Sequence, residues 1–80
     1  MIDIIIPLFN EENILKERGS YFNGLKNKAR LIFVDGGSTD QTRNIAQSYG
    51  DVIASERGRC YQLNAGARVA QSPYILNLLN

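Results

Sequence analysis

The sequence predicts an α/β fold in which strands and helices alternate and the strands form one parallel sheet. Two mainly apolar runs, at residues 2–6, where Asp3 is the exception, and at residues 31–34, have the composition of strands that are buried on both faces. Segments with helical spacing of apolar residues separate these runs from each other and from a shorter run at 51–55. This β-α-β-α-β order implies a parallel sheet with right-handed crossovers.

Length and charge restrict the class of protein. The 80 residues make one small domain or part of one, and a chain of this size buries only about 60 to 65% of its unfolded surface. Nine Lys and Arg against eight Asp and Glu give a net charge of +1, which argues against a general nucleic-acid or acidic-membrane surface. Recognition must therefore depend on individual residues.

Cysteine and histidine usage excludes two further classes. Cys60 is the single cysteine and there is no histidine, so neither a disulfide framework within the chain nor a Cys/His zinc site is available. A reducing compartment is the simplest interpretation. The apolar run at the N-terminus is too short for a signal or membrane segment, so we expect a cytoplasmic protein.

The segment after the first strand predicts a helix start. Asn10 is the expected N-cap, Glu11 and Glu12 occupy the first turn, and the helix continues to Leu25. Two carboxylates at this turn would repel a phosphate, and no glycine-rich phosphate loop is present. Phe9 could stack on a base, but on the residues alone we favour a packing contact with the helix it precedes.

The second strand runs directly into Asp35, two glycines and a second helix start. Ser38 followed by Gln41 predicts a capping box, and the glycines leave room for a ligand. Asp35 should then face open space, where its carboxylate would accept the ring N–H of uracil or guanine. The alternative, that Asp35 only caps its own turn, is equally favoured by these residues.

The third strand is preceded by Gly50, which we expect as a left-handed helix end, and is followed by Glu56-Arg57-Gly58-Arg59. Arginines at a strand end suit bidentate phosphate contacts. A solvated turn with Arg57 paired to Glu56 is the commoner outcome for an arbitrary Arg-Gly-Arg sequence.

The last helix should bury an apolar face that includes Cys60, and the helix should end at Pro73. Asn64 lies beside that face and either bridges the arginine loop to a neighbouring strand or faces solvent. Residues 74–80 predict a fourth strand with an apolar edge almost free of charge. We expect such an edge to promote self-association.

Three sequence blocks, at residues 5–12, 34–42 and 57–67, together resemble the nucleotide-sugar-binding half of a family 2 glycosyltransferase with the GT-A fold. The resemblance implies a Rossmann-like parallel sheet that forms the N-terminal half of that fold. Residues 1–80 would be its nucleotide-sugar-binding part, truncated before the metal motif. The implied nucleotide-binding residues are Pro7, Phe9, Asn10, Glu11, Asp35, Gly37, Ser38, Arg57, Arg59 and Asn64.

The resemblance also implies a reaction. The parent protein would transfer a hexosyl unit from a UDP- or GDP-sugar to an unknown acceptor, with a divalent cation (Mn or Mg) whose ligands follow Asn80. No catalytic residue and no metal ligand is expected within the chain, so the 80 residues alone should be inactive. The alternatives are a non-catalytic nucleotide-binding α/β module and a receiver-like or flavodoxin-like domain; the latter predicts a phosphate loop or a lone acceptor aspartate at another strand end, and the sequence has neither.

Overall fold

A computed structural model describes residues 2–71 and 73–78, and in this part of the chain four parallel strands form one sheet with the order β3-β2-β1-β4. The strands are β1 (Ile2–Leu8), β2 (Ala29–Asp35), β3 (Asp51–Ala54) and β4 (Pro73–Ile75). The helices are α1 (Glu12–Glu17), α2 (Gly19–Leu25), α3 (Thr42–Gln47) and α4 (Arg59–Val69). The predicted α/β class with a parallel sheet is confirmed.

The register brings the carboxyl ends of β1, β2 and β3 to one edge of the sheet. Leu8 at the end of β1 pairs with Asp35 at the end of β2, and Asp35 pairs with Ala54 at the end of β3. In open α/β sheets, ligands bind beyond this edge. The loops after β1, β2 and β3 therefore lie close together.

Helices cover both faces of β1 and β2, which explains the consecutive apolar residues at 4–6 and 31–34. Ile4, Ile6 and Leu8 belong to one core cluster, with Phe22 of α2 and other side chains. Ile5 belongs to a second, smaller cluster on the other side of the sheet. Gly66 of α4 lies so close to this face that a Cβ would come within 2.6 Å of Ile5 Cγ2, so the small residue lets the helix approach the sheet.

The first predicted helix is two helices. The helical segment is interrupted at Arg18, which separates α1 from α2. Leu15 and Phe22 are its buried residues, whereas Tyr21, next to Phe22, is 50% exposed. The prediction that Asn10 caps α1 is wrong, because the helix begins after Glu11 and has no side-chain cap.

The predicted capping box before α3 is also wrong. The helix begins at Thr42, and Ser38 lies in the loop outside it. The side chain of Asp40 takes the expected capping role, since its Oδ1 accepts hydrogen bonds from the backbone N–H of Thr42, at 2.9 Å, and from the Thr42 hydroxyl. The Asp40 carboxylate thus satisfies the first N–H of the helix, whereas the hydroxyl of Ser38 donates to Asp35 instead.

Two further local expectations are corrected. Gly50 is outside the left-handed region; it is required because a Cβ there would lie 2.5 Å from the carbonyl oxygen of Leu31. Cys60 is exposed rather than buried, because α4 turns Gln62 and Gly66 toward the sheet instead.

The fourth strand is shorter than predicted. β4 pairs with β1 over three residues, from Asp3 with Pro73 to Ile5 with Ile75, and residues 79–80 of the predicted strand lie outside the described residues. All three residues of β4 are exposed, so self-association through this edge stays a prediction. Within residues 2–71 and 73–78, every helix is too short or too polar to cross a membrane.

Candidate nucleotide site

The loop after β1 is joined to the loop after β2 through Asn10. Its backbone N–H donates to Ser38 Oγ at 2.8 Å, and its side-chain Oδ1 accepts from the N–H of Thr39 at 2.9 Å. Asn10 has φ of 50°, a conformation that asparagine tolerates better than most residues. The asparagine therefore caps a loop 28 residues away in sequence rather than its own helix.

A second pair of hydrogen bonds extends this junction. The N–H of Glu11 donates to Thr42 Oγ1 at 2.8 Å, and the N–H of Gln41 donates to Glu12 Oε1 at 3.0 Å. Each loop thus satisfies backbone groups of the other. The first turns of α1 and α3 consequently lie side by side at the edge of the sheet.

The acidic side chains here have shifted pKa values. Burial, and next the charge of Asp40, raises the pKa of Glu11 above its ordinary value. The N–H of Gln41 lowers the pKa of Glu12, and the hydroxyl of Thr42 lowers that of Asp40. Glu11 is the acid of this group that takes up a proton most readily.

Asp35 is enclosed by its own turn. Its side chain is 1% exposed, its Oδ2 accepts from the N–H groups of Gly37 at 3.1 Å and Ser38 at 2.9 Å, and its Oδ1 accepts from the Ser38 hydroxyl. Arg43 Nε lies 4.0 Å from Oδ2. The expectation that Asp35 faces open space is wrong, because Gly37, with φ of 98°, folds the turn back over the carboxylate. The hydrogen bonds of Asp35 are those expected if it caps its own turn.

The two arginines after β3 point to different partners. The guanidinium of Arg57 lies over the ring of Phe9, 4.1 Å from its centroid, a cation–π arrangement. No ion pair joins Arg57 to Glu56 in the described part of the chain. Arg59 Nη1 donates to Asn77 Oδ1 at 2.7 Å, which ties the start of α4 to the segment after β4.

A cavity of about 370 Å³ opens at the carboxyl end of β1. It is lined by Pro7, Leu8, Phe9, Glu11, Arg59, Gln62, Asn77 and Leu78. Four of the ten implied residues therefore line one cavity: Pro7, Phe9 and Glu11, which are neighbours in the sequence, and the distant Arg59. Its size lies within the range typical of small-molecule sites.

The other six implied residues lie outside this lining. Asn10, Asp35, Gly37 and Ser38 form the joined loops after β1 and β2, Arg57 covers Phe9, and Asn64 is exposed on α4. Of the two interpretations of Asn64, solvent exposure is the one observed.

Four lining residues were not predicted as site residues: Leu8, Gln62, Asn77 and Leu78. Gln62 is the buried polar residue among them. Its side-chain Nε2 donates to the carbonyl oxygens of Leu8 at 2.8 Å and Val34 at 2.9 Å, and its Oε1 accepts from the N–H of Gly58 at 3.2 Å. The helical spacing of Gln62 and Gly66 contained a usable signal, since a small residue four positions away marks the face that approaches the sheet. Asn77 was missed because it lies within an apolar stretch that predicted strand.

The described residues contain no group of three or more His, Cys, Asp or Glu side chains placed to hold a metal ion. Of the acids near the junction of the two loops, Glu12 accepts from the N–H of Gln41 and Asp40 accepts from the N–H of Thr42. The donor set of these residues thus does not fit a divalent cation.

These features define a parallel α/β domain with a cavity, lined by both polar and apolar side chains, beyond the carboxyl ends of its strands. The model of glycosyl transferase family 2 matches residues 3–78. The chain belongs to glycosyl transferase family 2.

Two similar proteins are uncharacterized glycosyltransferases of Rickettsia prowazekii and Rickettsia typhi, each 35% identical over 79 positions. The match covers 92% of this chain and 25% of each relative, so the chain spans about a quarter of their length.

The crystal structure of TarS from S. aureus has a similar fold, with a TM-score of 0.74 at 23% identity over 95% of this chain and 16% of TarS. A structure of TarS residues 1–349 gives a TM-score of 0.70 at 21% identity, over 95% of this chain and 26% of that one. The likeness establishes the shared fold.

Proposed function

We propose that the cavity beyond β1 holds the nucleotide part of a UDP- or GDP-sugar, whose hexosyl unit the whole protein transfers to an acceptor. The observation that supports this most directly is the convergence of Pro7, Phe9, Glu11 and Arg59 on one cavity. Family membership supplies the reaction class. The donor, the acceptor and the hexosyl specificity belong to the proposal.

The lining has the chemistry that a nucleotide requires. Pro7 and Phe9 offer apolar surface for a base or ribose, the Glu11 carboxylate can accept hydrogen bonds from ribose hydroxyls, and the Arg59 guanidinium can contact a phosphate through two parallel N–H groups. The ring of Phe9 is already covered on one side by Arg57. A base that stacked on Phe9 would use its other face or displace the guanidinium.

Base selection by Asp35 remains part of the proposal. A ring N–H would reach this carboxylate only after the turn at Gly37 and Ser38 moves, since the side chain is 1% exposed and already accepts three hydrogen bonds. Uracil and guanine have such an N–H on their pairing edge, whereas cytosine has an acceptor. UDP and GDP should therefore bind more tightly than CDP.

Family 2 enzymes generally use a divalent cation, and the described residues do not fit one. We therefore expect that the 80-residue chain alone does not transfer sugar. Incubation of the pure chain with a UDP-sugar, a GDP-sugar and Mn²⁺ should release no nucleotide diphosphate, whereas metal-dependent release would refute this expectation.

Calorimetric titration of the whole protein with UDP, GDP and CDP tests the proposed site. Arg59→Ala should weaken UDP or GDP binding by roughly tenfold, about the contribution of one hydrogen bond to a charged group. Arg68→Ala, an exposed arginine on the same helix, is the matched control. Equal affinities of parent and Arg59→Ala would contradict the site, and binding without any sugar transfer by the whole protein would favour the non-catalytic module.

A further inference from the structure

We propose that Gln62 is a positioning residue, whose side-chain amide sets the place of the arginine loop (residues 56–59) over the nucleotide site. This inference rests on the proposed function, because it concerns the same cavity. It assigns a role to a side chain that neither the charge pattern nor the arginines themselves indicate.

The amide of Gln62 joins three parts of the chain. It donates to the carbonyl oxygen of Leu8, the last residue of β1, and to that of Val34, the residue before the last of β2, and it accepts from the N–H of Gly58 in the arginine loop. Gln62 is buried, with only 6% of its surface exposed. A buried amide with all three contacts made has one low-energy orientation, because a flipped amide would put its oxygen against two carbonyl oxygens.

Gly36, in the turn after β2, packs closely against both the arginine loop and the side chain of Gln62. A Cβ on Gly36 would lie 3.1 Å from the Arg57 Cα and 3.1 Å from Gln62 Cδ. The turn after β2, the Gln62 amide and the arginine loop are thus stacked in contact. Because the φ of Gly36 is not positive, the backbone conformation does not require glycine at this position. The close approach of its neighbours does.

The stack has a direct consequence for the cavity. Gln62 follows Arg59 by three residues on α4, and both line the cavity. With the amide bonded to the strand ends, Arg57 lies over Phe9 and Arg59 reaches Asn77. Without the Gln62 amide, the arginine loop loses its hydrogen-bonded link to the ends of β1 and β2. The two guanidinium groups are then no longer held in a fixed position to bind a phosphate.

The test is a double-mutant cycle on UDP affinity in the whole protein, or on GDP affinity if GDP binds more tightly. Gln62→Met keeps the length of the side chain and removes its hydrogen bonds. We expect it to weaken binding by roughly tenfold, and we expect Arg59→Ala to cost less than about threefold in the Gln62→Met background although it costs roughly tenfold in the parent. Gln47→Met, the same change at an exposed glutamine of α3, should leave the affinity unchanged.

Gly36→Ala disturbs the same stack from the opposite side and serves if Gln62→Met does not fold by circular dichroism. It should weaken binding and reduce the effect of Arg59→Ala in the same way. Gly24→Ala is its control, because a Cβ there meets nothing within 4 Å.

The possible results separate the two proposals. If the parent binds UDP or GDP and Gln62→Met binds equally well, or if the Gln62 and Arg59 effects simply multiply, Gln62 has no positioning role while the nucleotide site stands. If the parent binds neither nucleotide, the proposed function fails and this inference fails with it.

Discussion

The loops after β2 and β3 both place charged side chains at the carboxyl edge of the sheet, but they use the charge differently. In the β2 loop, Asp35 is buried and accepts hydrogen bonds from the residues that directly follow it. In the β3 loop, Arg57 and Arg59 are exposed and contact side chains from distant segments, Phe9 and Asn77.

The charge of Asp35 therefore stabilises its own loop, whereas the charges of Arg57 and Arg59 remain available for a ligand. A carboxylate whose oxygens are filled by its own turn stabilises the fold and has little capacity left for a ligand. A guanidinium has five N–H donors, and the single hydrogen bond of Arg59 to Asn77 leaves others free. We therefore expect substitutions in the β2 loop to change stability first and those in the β3 loop to change binding first.

The largest effect should follow from Asp35→Ala. Removing the carboxylate leaves the N–H groups of Gly37 and Ser38 without their acceptor in a partly buried turn, which should lower the free energy of unfolding by roughly 2 kcal/mol. Urea denaturation measures this change. Asp51→Ala, which breaks an exposed pair with Arg30, should cost under about 1 kcal/mol; equal losses at the two positions would mean that the turn does not depend on its carboxylate.

Arg59→Lys should come next and should affect binding rather than stability. Lysine keeps the positive charge but lacks the planar fork, so the affinity for UDP or GDP should fall by several-fold, approaching the roughly tenfold loss of Arg59→Ala. Calorimetry together with a thermal melt distinguishes the two effects. Arg68→Lys is the control, and full affinity in Arg59→Lys would show that charge alone suffices.

Arg57→Ala sharpens the comparison within the β3 loop itself. The guanidinium covers Phe9 at an exposed site, so its removal should lower the free energy of unfolding by only about 0.5 to 1 kcal/mol. Phe9→Leu alone should cost a similar amount, and the double variant should cost less than the sum if the two side chains stabilise each other. Additive losses in urea denaturation would refute a mutual contact.

The smallest effect concerns acid stability of the β2 loop. The hydroxyl of Thr42 lowers the pKa of Asp40 in the folded protein, so this carboxylate stabilises the fold at pH values above its unfolded pKa, near 3.8, and the contribution is lost as the pH falls through the lower folded value. Asp40→Asn should therefore flatten the decline in stability below about pH 4. Glu11 works in the opposite direction, because its raised pKa makes its contribution less favourable as the pH rises through its ordinary value of 4.5.

Urea denaturation at several pH values measures this decline in the free energy of unfolding. The pH values should run from about 2.5 to about 6, on the order of one unit beyond the ordinary pKa values of the two acids. Glu17→Gln, an exposed acid on α1, is the control. A decline equally steep in parent and Asp40→Asn would show that the contact with Thr42 does not stabilise the folded loop.

The residues of the candidate site were predictable to the extent that their positions depend on strand ends. Pro7 and Leu8 close β1, and Phe9 and Glu11 follow it; a place at the nucleotide site was implied for Pro7, Phe9 and Glu11 by the family resemblance, and all three line the cavity. Gln62 was not found, since a glutamine in a helix is ordinarily solvated and only contact with the ends of β1 and β2 gives it a role.

The sequence by itself determined the order of strands and helices, because burial on both faces of a parallel sheet requires consecutive apolar residues, as at 4–6 and 31–34. The contacts of Asp35 with Gly37 and Ser38 were likewise among the local alternatives, since they span two or three residues. Only the tertiary structure decided the partners of Asn10 and Gln62, which lie 28 and 54 residues away. A short polar side chain bonds to whichever backbone group packing brings within about 3 Å, and over such separations the packing of the whole sheet determines that group.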